Sequence, residues 1–199
     1  MGYVNHIDEK NIKILSGEDG LRILSLNING IANKINLLEL YLEELKNNAV
    51  SPDIIFLNET RLRDSHLLSY FNLPNYSAYH SLRVSGRSGG GIAFYISNKL
   101  KTCPKVTRYN FHEIQFMTLT LPERNISFCG VYRPPTSLNS NIKQFYEAYE
   151  NIISNYNNLL SMGDFNIDLL SDDSFQLTQI LGLNGFVNLN KIDARFATR

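Results

Sequence analysis

The sequence predicts an α/β domain with mixed sheet pairing, on three grounds. Ile54-Ile55-Phe56-Leu57 is a short unbroken apolar run, as in a strand buried on both faces, and it follows a strand and an amphipathic helix in β-α-β order. Glu113–Leu121 and Ile126–Tyr132 flank the turn Pro122-Glu123-Arg124-Asn125 as an antiparallel hairpin, so parallel and antiparallel pairs share the fold. Leu159-Leu160 opens a further apolar run, read as a buried strand, that ends in Gly163-Asp164-Phe165-Asn166.

A length of 199 residues suits one domain, and 43% apolar with 19% charged residues is the composition of a globular protein. Net charge is zero, which excludes a global electrostatic pull toward nucleic acid; any such site must be a local patch or rest on a metal ion. Cys103 and Cys129 are too few for a disulfide framework, lack metal-site spacing, and read as buried thiols of a reducing compartment. Residues 1–20 carry no apolar core of signal-peptide length and no run reaches membrane-spanning length, so an intracellular protein, nuclear or cytoplasmic, is expected. Asn58-Glu59-Thr60 and Asn125-Ile126-Ser127 match glycosylation sequons and are taken as chance matches.

Residues 1–20 read as a poorly ordered leader, and 21–199 as the domain. Leu21–Asn27 alternates as a strand and ends in Asn27-Ile28-Asn29-Gly30. Leu38, Leu42 and Leu45 mark a helix over Lys34–Asn47, broken by Ser51-Pro52-Asp53. The buried run Ile54–Leu57 delivers Asn58-Glu59-Thr60 to its end. A short helix is predicted over Asp64–Tyr70, then strands at Tyr76–Leu82, Ile92–Ser97 and Val106–Tyr109. The hairpin ends at Tyr132-Arg133-Pro134-Pro135, where proline stops ladder bonding. Ile142, Phe145, Tyr146, Tyr149, Ile152, Ile153 and Tyr156 form the stripe of a helix over Ser140–Tyr156. A helix at Phe175–Leu181 and a last short strand after a turn within Gly182–Asn188 complete the chain.

Four strand ends carry polar groups: Asn27/Asn29, Glu59, Tyr132 and Asp164/Asn166. Active sites of α/β proteins assemble at such ends. Gly163 permits a sharp turn, after which Asp164 and Asn166 share one side. A carboxylate there can orient or deprotonate a water, and an amide can donate to a phosphate oxygen. The same tetrapeptide also reads as an Asx-rich turn closing a strand. Glu59 is either solvated at a finished strand or bound to a metal ion. Tyr132 either offers its hydroxyl to a phosphate or plugs the strand end. Arg83 and Arg87 flank the segment that runs into Gly89-Gly90-Gly91, which suits phosphate or a flexible hairpin.

Five words in order, Leu26-Asn27-Ile28-Asn29-Gly30, Leu57-Asn58-Glu59-Thr60, Gly89-Gly90-Gly91-Ile92-Ala93, Val131-Tyr132-Arg133-Pro134-Pro135 and Gly163-Asp164-Phe165-Asn166, carry a resemblance. The sequence resembles the endonuclease/exonuclease/phosphatase superfamily, most of all the apurinic-type endonuclease domain of non-LTR retrotransposons. The resemblance spans about Leu21 to Arg199. It implies a four-layer α/β sandwich of two mixed, mostly antiparallel sheets flanked by helices. It implies Mg²⁺ or Mn²⁺ and hydrolysis that nicks the phosphate backbone of DNA; the lack of a run of membrane-spanning length separately leads to the expectation of no membrane partner. By position it makes Glu59 the principal metal ligand with Asn29 close by. Asn27 hydrogen-bonds the site, Tyr132 contacts the scissile phosphate, Asp164 orients or activates water, and Asn166 stabilises developing charge. Arg87, Arg133 and Thr198 are candidate substrate contacts, Thr198 by its match to a threonine of the retroelement members.

The family's pattern continues with an Ile-Asp-His and then a Ser-Asp-His word, and neither occurs in these 199 residues. None of His6, His66, His80 and His112 follows a late strand. The expectation is a domain cut short, with its last strands missing and with little or no nuclease activity. A binding remnant that keeps the fold, and another phosphoesterase of the same superfamily, are the rival readings.

Overall fold

A computed structural model describes residues 20–83, 89–111, 113–135, 140–167 and 174–183. The leader reading, Arg87, His112, Thr198 and the last expected strand all lie outside these residues. Among the described residues the fold divides into two compact units, one carrying eight strands and the first helix, the other carrying the second and third helices.

In the first unit the strands form two four-stranded sheets. The first sheet contains β1 (Ile23–Asn27), β2 (Ile54–Asn58), β3 (Tyr76–Ser81) and β4 (Ile92–Ser97), in the order β1-β2-β4-β3. The second contains β5 (Lys105–Phe111), β6 (Ile114–Leu121), β7 (Ile126–Tyr132) and β8 (Leu159–Asp164), in sequential order. Each sheet has one parallel pair, β1 with β2 and β7 with β8, and is otherwise antiparallel. Mixed sheets in an α/β fold are thus what the molecule has.

The β2 run settles how the layers meet. Ile54, Ile55, Phe56 and Leu57 are all fully buried. Their alternation sends Ile54 and Phe56 into a core shared with Met117, Leu119 and Phe128 of the second sheet. Ile55 and Leu57 face a separate core with Leu38 of α1 (Ile35–Asn47). A helix layer and two face-to-face sheets follow directly. Each fully buried side chain of this kind stabilises the fold by roughly 1.5–3 kcal/mol relative to exposure.

The second unit contains α2 (Ser140–Ile153) and α3 (Ser174–Leu183). The predicted stripe is there: Phe145, Tyr146, Tyr149, Ile152 and Ile153 are buried, and the Phe145 and Tyr149 rings stack at 5.7 Å. The helix stops at Ile153, so Tyr156 is not part of it.

Four expectations need correction. The short helix over Asp64–Tyr70 is instead a 3₁₀ turn at Leu68–Phe71, because the His66 ring accepts the Arg63 N–H at 2.9 Å and closes a turn first. Cys103 is exposed in the connection before β5, whereas Cys129 is buried in β7, where burial pushes its thiol up to about 12. β8 is half-buried rather than buried, because among the described residues it is an edge strand. Gly163 does not start a turn. It lies inside β8 opposite Val131 at φ 140°, and a β-carbon there would press into the Val131 backbone. Glycine is needed for close approach rather than for a bend.

Candidate active site

The parallel pair β1–β2 ends with Asn27 opposite Asn58. Pairing persists past both ends, with the Gly30 N–H donating to the Glu59 carbonyl at 2.7 Å and the Ile31 N–H to that of Thr60 at 3.0 Å. Two residues in this extension adopt left-handed backbone, Asn29 at φ 48° and Glu59 at φ 51°. Asparagine visits that region readily, and here the Asn27 side chain accepts the Asn29 N–H at 3.1 Å in an Asx turn. Glutamate has no such aptitude. Its conformation costs roughly 1–3 kcal/mol and persists only where the surroundings enforce it, which is typical of functional sites.

The glycine run supplies that enforcement. The Thr60 N–H donates to the Gly91 carbonyl and the Arg61 N–H to that of Gly90, both at 2.9 Å. Gly91 has φ 82°, and a β-carbon on it would run into the Thr60 hydroxyl. The Gly91 N–H in turn donates to the Gln115 side chain at 2.6 Å, and the Gln115 amide nitrogen donates to the Leu82 carbonyl at 2.7 Å. A fully buried amide on β6 of the second sheet therefore fixes the loop that holds Glu59.

Tyr132 and Asp164 enter from the second sheet as register partners at the ends of β7 and β8. The Tyr132 ring is buried in the core between the sheets, and its hydroxyl abuts the glycine run, where a β-carbon on Gly89 would lie 2.5 Å away. The body of Tyr132 plugs the strand end, and its hydroxyl lies against the glycine run. Burial first, then the charges of Glu59 and Asp164, push this phenol up to about 12. Glu59 and Asp164, from different sheets, act on one hydroxyl. The Glu59 carboxylate also pairs with Arg61 at 3.2 Å.

Asn58, buried just before Glu59, locks the sheets together here. With its amide oriented to satisfy both neighbours, it donates to the Val131 carbonyl at 3.2 Å and accepts the Asp164 N–H at 2.9 Å. Arg133 is buried. Its guanidinium donates to the Phe165 carbonyl at 3.4 Å and its N–H to the Asp164 carbonyl at 2.9 Å, so it braces the end of β8. Asn166, at φ 48°, belongs to the second unit. Arg87 and Thr198 lie outside the described residues. Asn58 and Gln115 were not singled out as site residues from sequence, and their signal was an amide at an inward strand position.

The oxygen-rich donors Glu59 and Asp164, with amides beside them, suit a hard divalent cation that keeps several of its waters. Among the described residues no cluster of three or more His, Cys, Asp or Glu side chains forms a self-sufficient metal cage. Nor is any described helix long and apolar enough to cross a membrane.

No curated protein matches the sequence. Solved structures do match the fold. The chain is similar to the AP endonuclease of Leishmania major (TM-score 0.62, 12% identity, 81% of this chain and 66% of that one). It is similar to the endonuclease domain of TRAS1, a telomere-specific non-LTR retrotransposon (TM-score 0.56, 17% identity, 86% and 74%). It is also similar to a humanized D. rerio TDP2 (TM-score 0.52, 13% identity, 84% and 67%). The chain thus spans just under two thirds of the first of these structures. The Endonuclease/Exonuclease/phosphatase family pattern matches residues 24–198. With both sheets, the strand-end cluster and that match in agreement, the chain belongs to the endonuclease/exonuclease/phosphatase family.

Proposed function

We propose that this chain is a phosphodiester hydrolase of the DNA-nicking retrotransposon type, dependent on Mg²⁺ or Mn²⁺. The observation that supports it best is the Asn58 amide beside Glu59, which donates to the Val131 carbonyl and accepts the Asp164 N–H at 2.9 Å and so joins the strand ends that carry Glu59, Tyr132 and Asp164. Glu59, aided by Asn29, would hold the cation, which when bound neutralises charge on the attacked phosphate. Tyr132 keeps its proton at neutral pH, because its pKa lies near 12, and so donates to a phosphate oxygen. Asp164 orients a water or takes its proton. Asn27 holds the Asn29 turn.

A second reading, a fold that binds without cutting, is favoured by the lack, among the described residues, of a cluster of three or more His, Cys, Asp or Glu side chains that could hold a metal ion. Relaxation of supercoiled plasmid separates them. Nicking that needs Mg²⁺ and disappears in Glu59→Ala and Asp164→Ala is the expected result. No nicking over long incubation, with DNA still bound, would replace hydrolysis by the binding reading.

A further inference from the structure

Glu59 is followed by Arg61 and Arg63, both exposed, on either side of Leu62, which is fully buried. Leu62 anchors the segment in the core, so the two guanidinium groups stay at the surface next to the site. Arg83 is brought to the same place by backbone pairing, its N–H donating to the Leu62 carbonyl at 3.0 Å. The glycine run packs against all of this. A β-carbon on Gly90 would lie 3.6 Å from the Arg83 β-carbon, and one on Gly91 would lie 3.2 Å from the Arg61 nitrogen.

Three guanidinium groups therefore gather in a chain whose net charge is zero. Burial, then Arg63, then Arg61 pull Arg83 below the usual guanidinium range, so the groups feel one another's charge. Like charges brought together weaken the fold unless something opposes them. Glu59 pairs with Arg61 at 3.2 Å, which offsets one of the three. Arg61 also acts on Tyr132, so the cluster borders the hydroxyl proposed to meet the phosphate.

We propose that Arg61, Arg63 and Arg83 form a second anion site, which takes a phosphate of the DNA backbone adjacent to the one at Tyr132. Guanidinium forks match phosphate oxygens in pairs, and a strand presents another phosphate within about 3.4 Å of rise. The site sets where the strand lies and carries no base preference. It rests on the DNA reading above but needs neither hydrolysis nor a metal.

The test is binding of a short fluorescein-labelled DNA duplex in EDTA, followed by anisotropy across a salt series. The proteins are wild type, Arg63→Ala, Arg83→Ala, Arg83→Lys and, as a charge-matched control, Lys105→Ala on the exposed side of β5. Each cluster substitution to alanine is expected to weaken binding and to shrink the salt slope by about one. Arg83→Lys keeps the slope, and Lys105→Ala matches wild type. Wild-type slopes in Arg63→Ala and Arg83→Ala, or an equal loss in Lys105→Ala, would overturn the site while leaving DNA binding intact. Absence of duplex binding by wild type at low salt would overturn both this site and the DNA reading.

Discussion

The Asn58 side chain at the end of β2 accepts the backbone N–H of Asp164 at the end of β8, at 2.9 Å, and so ties the first sheet to the second beside Glu59. One buried amide sets the spacing between the strand that carries the acid Glu59 and the strand that carries Asp164. Asn58→Ala leaves the Val131 carbonyl and the Asp164 N–H without this partner, and each buried group left unmade costs about 1–3 kcal/mol. Urea denaturation is expected to show that loss. Asn58→Asp is expected to fare no better, because a carboxylate oxygen then meets the Val131 carbonyl.

Gln115 performs the matching task from β6. Gln115→Leu keeps the volume but removes the acceptor of the Gly91 N–H and the donor to Leu82. The expected result is a loss of about 1–3 kcal/mol, with amide exchange at Gly91 rising sharply against that of the adjoining β4. Unchanged protection at Gly91 would mean that the loop is held by its pairing with Thr60 alone.

Gly163 tests close approach against turn chemistry. Gly163→Ala meets both a φ of 140° and the Val131 backbone nitrogen, 2.8 Å from the new β-carbon. A loss of at least about 1–3 kcal/mol is expected in thermal or urea unfolding. Gly20→Ala, with open space around it, is expected to change nothing.

His80 gives the fold an acid limb. Its two ring nitrogens are buried without partners, and the ring sits edge-on to Tyr95 at 5.6 Å. Burial, then Arg108, lower its pKa from 6.5 to about 4. A depressed value means the neutral ring is the one that folds. The contribution is therefore fully present above about pH 6.5 and is lost as pH falls through about 4, by at most about 1.4 kcal/mol per pH unit. His80→Phe is expected to flatten the stability curve between neutrality and pH 5, where most carboxylates remain charged.

Much of the fold was legible because its signals are local. The Ile54–Leu57 run announced burial on two faces, and the stripe from Phe145 to Ile153 announced a helix, because burial of one face repeats with the period of the element. The Asp64–Tyr70 helix failed because a single side chain, His66, diverts the backbone. Gly163 was misread because the neighbour that requires it, Val131, is far away in sequence. Asn58 sat inside a quoted word and was passed over as a sequon, since nothing local says that its amide reaches β7 and β8.

By itself the sequence determined which polar residues stand at or just past the strand ends, because strand limits are written in apolar runs and their polar stops. Only the tertiary structure decided that Glu59, Tyr132 and Asp164 share one electrostatic neighbourhood and that Arg133 braces the end of β8. It alone gathered Arg61, Arg63 and Arg83. Those outcomes depend on how two sheets stack, and stacking is fixed by side-chain volumes and backbone approach between segments that never meet in the linear chain.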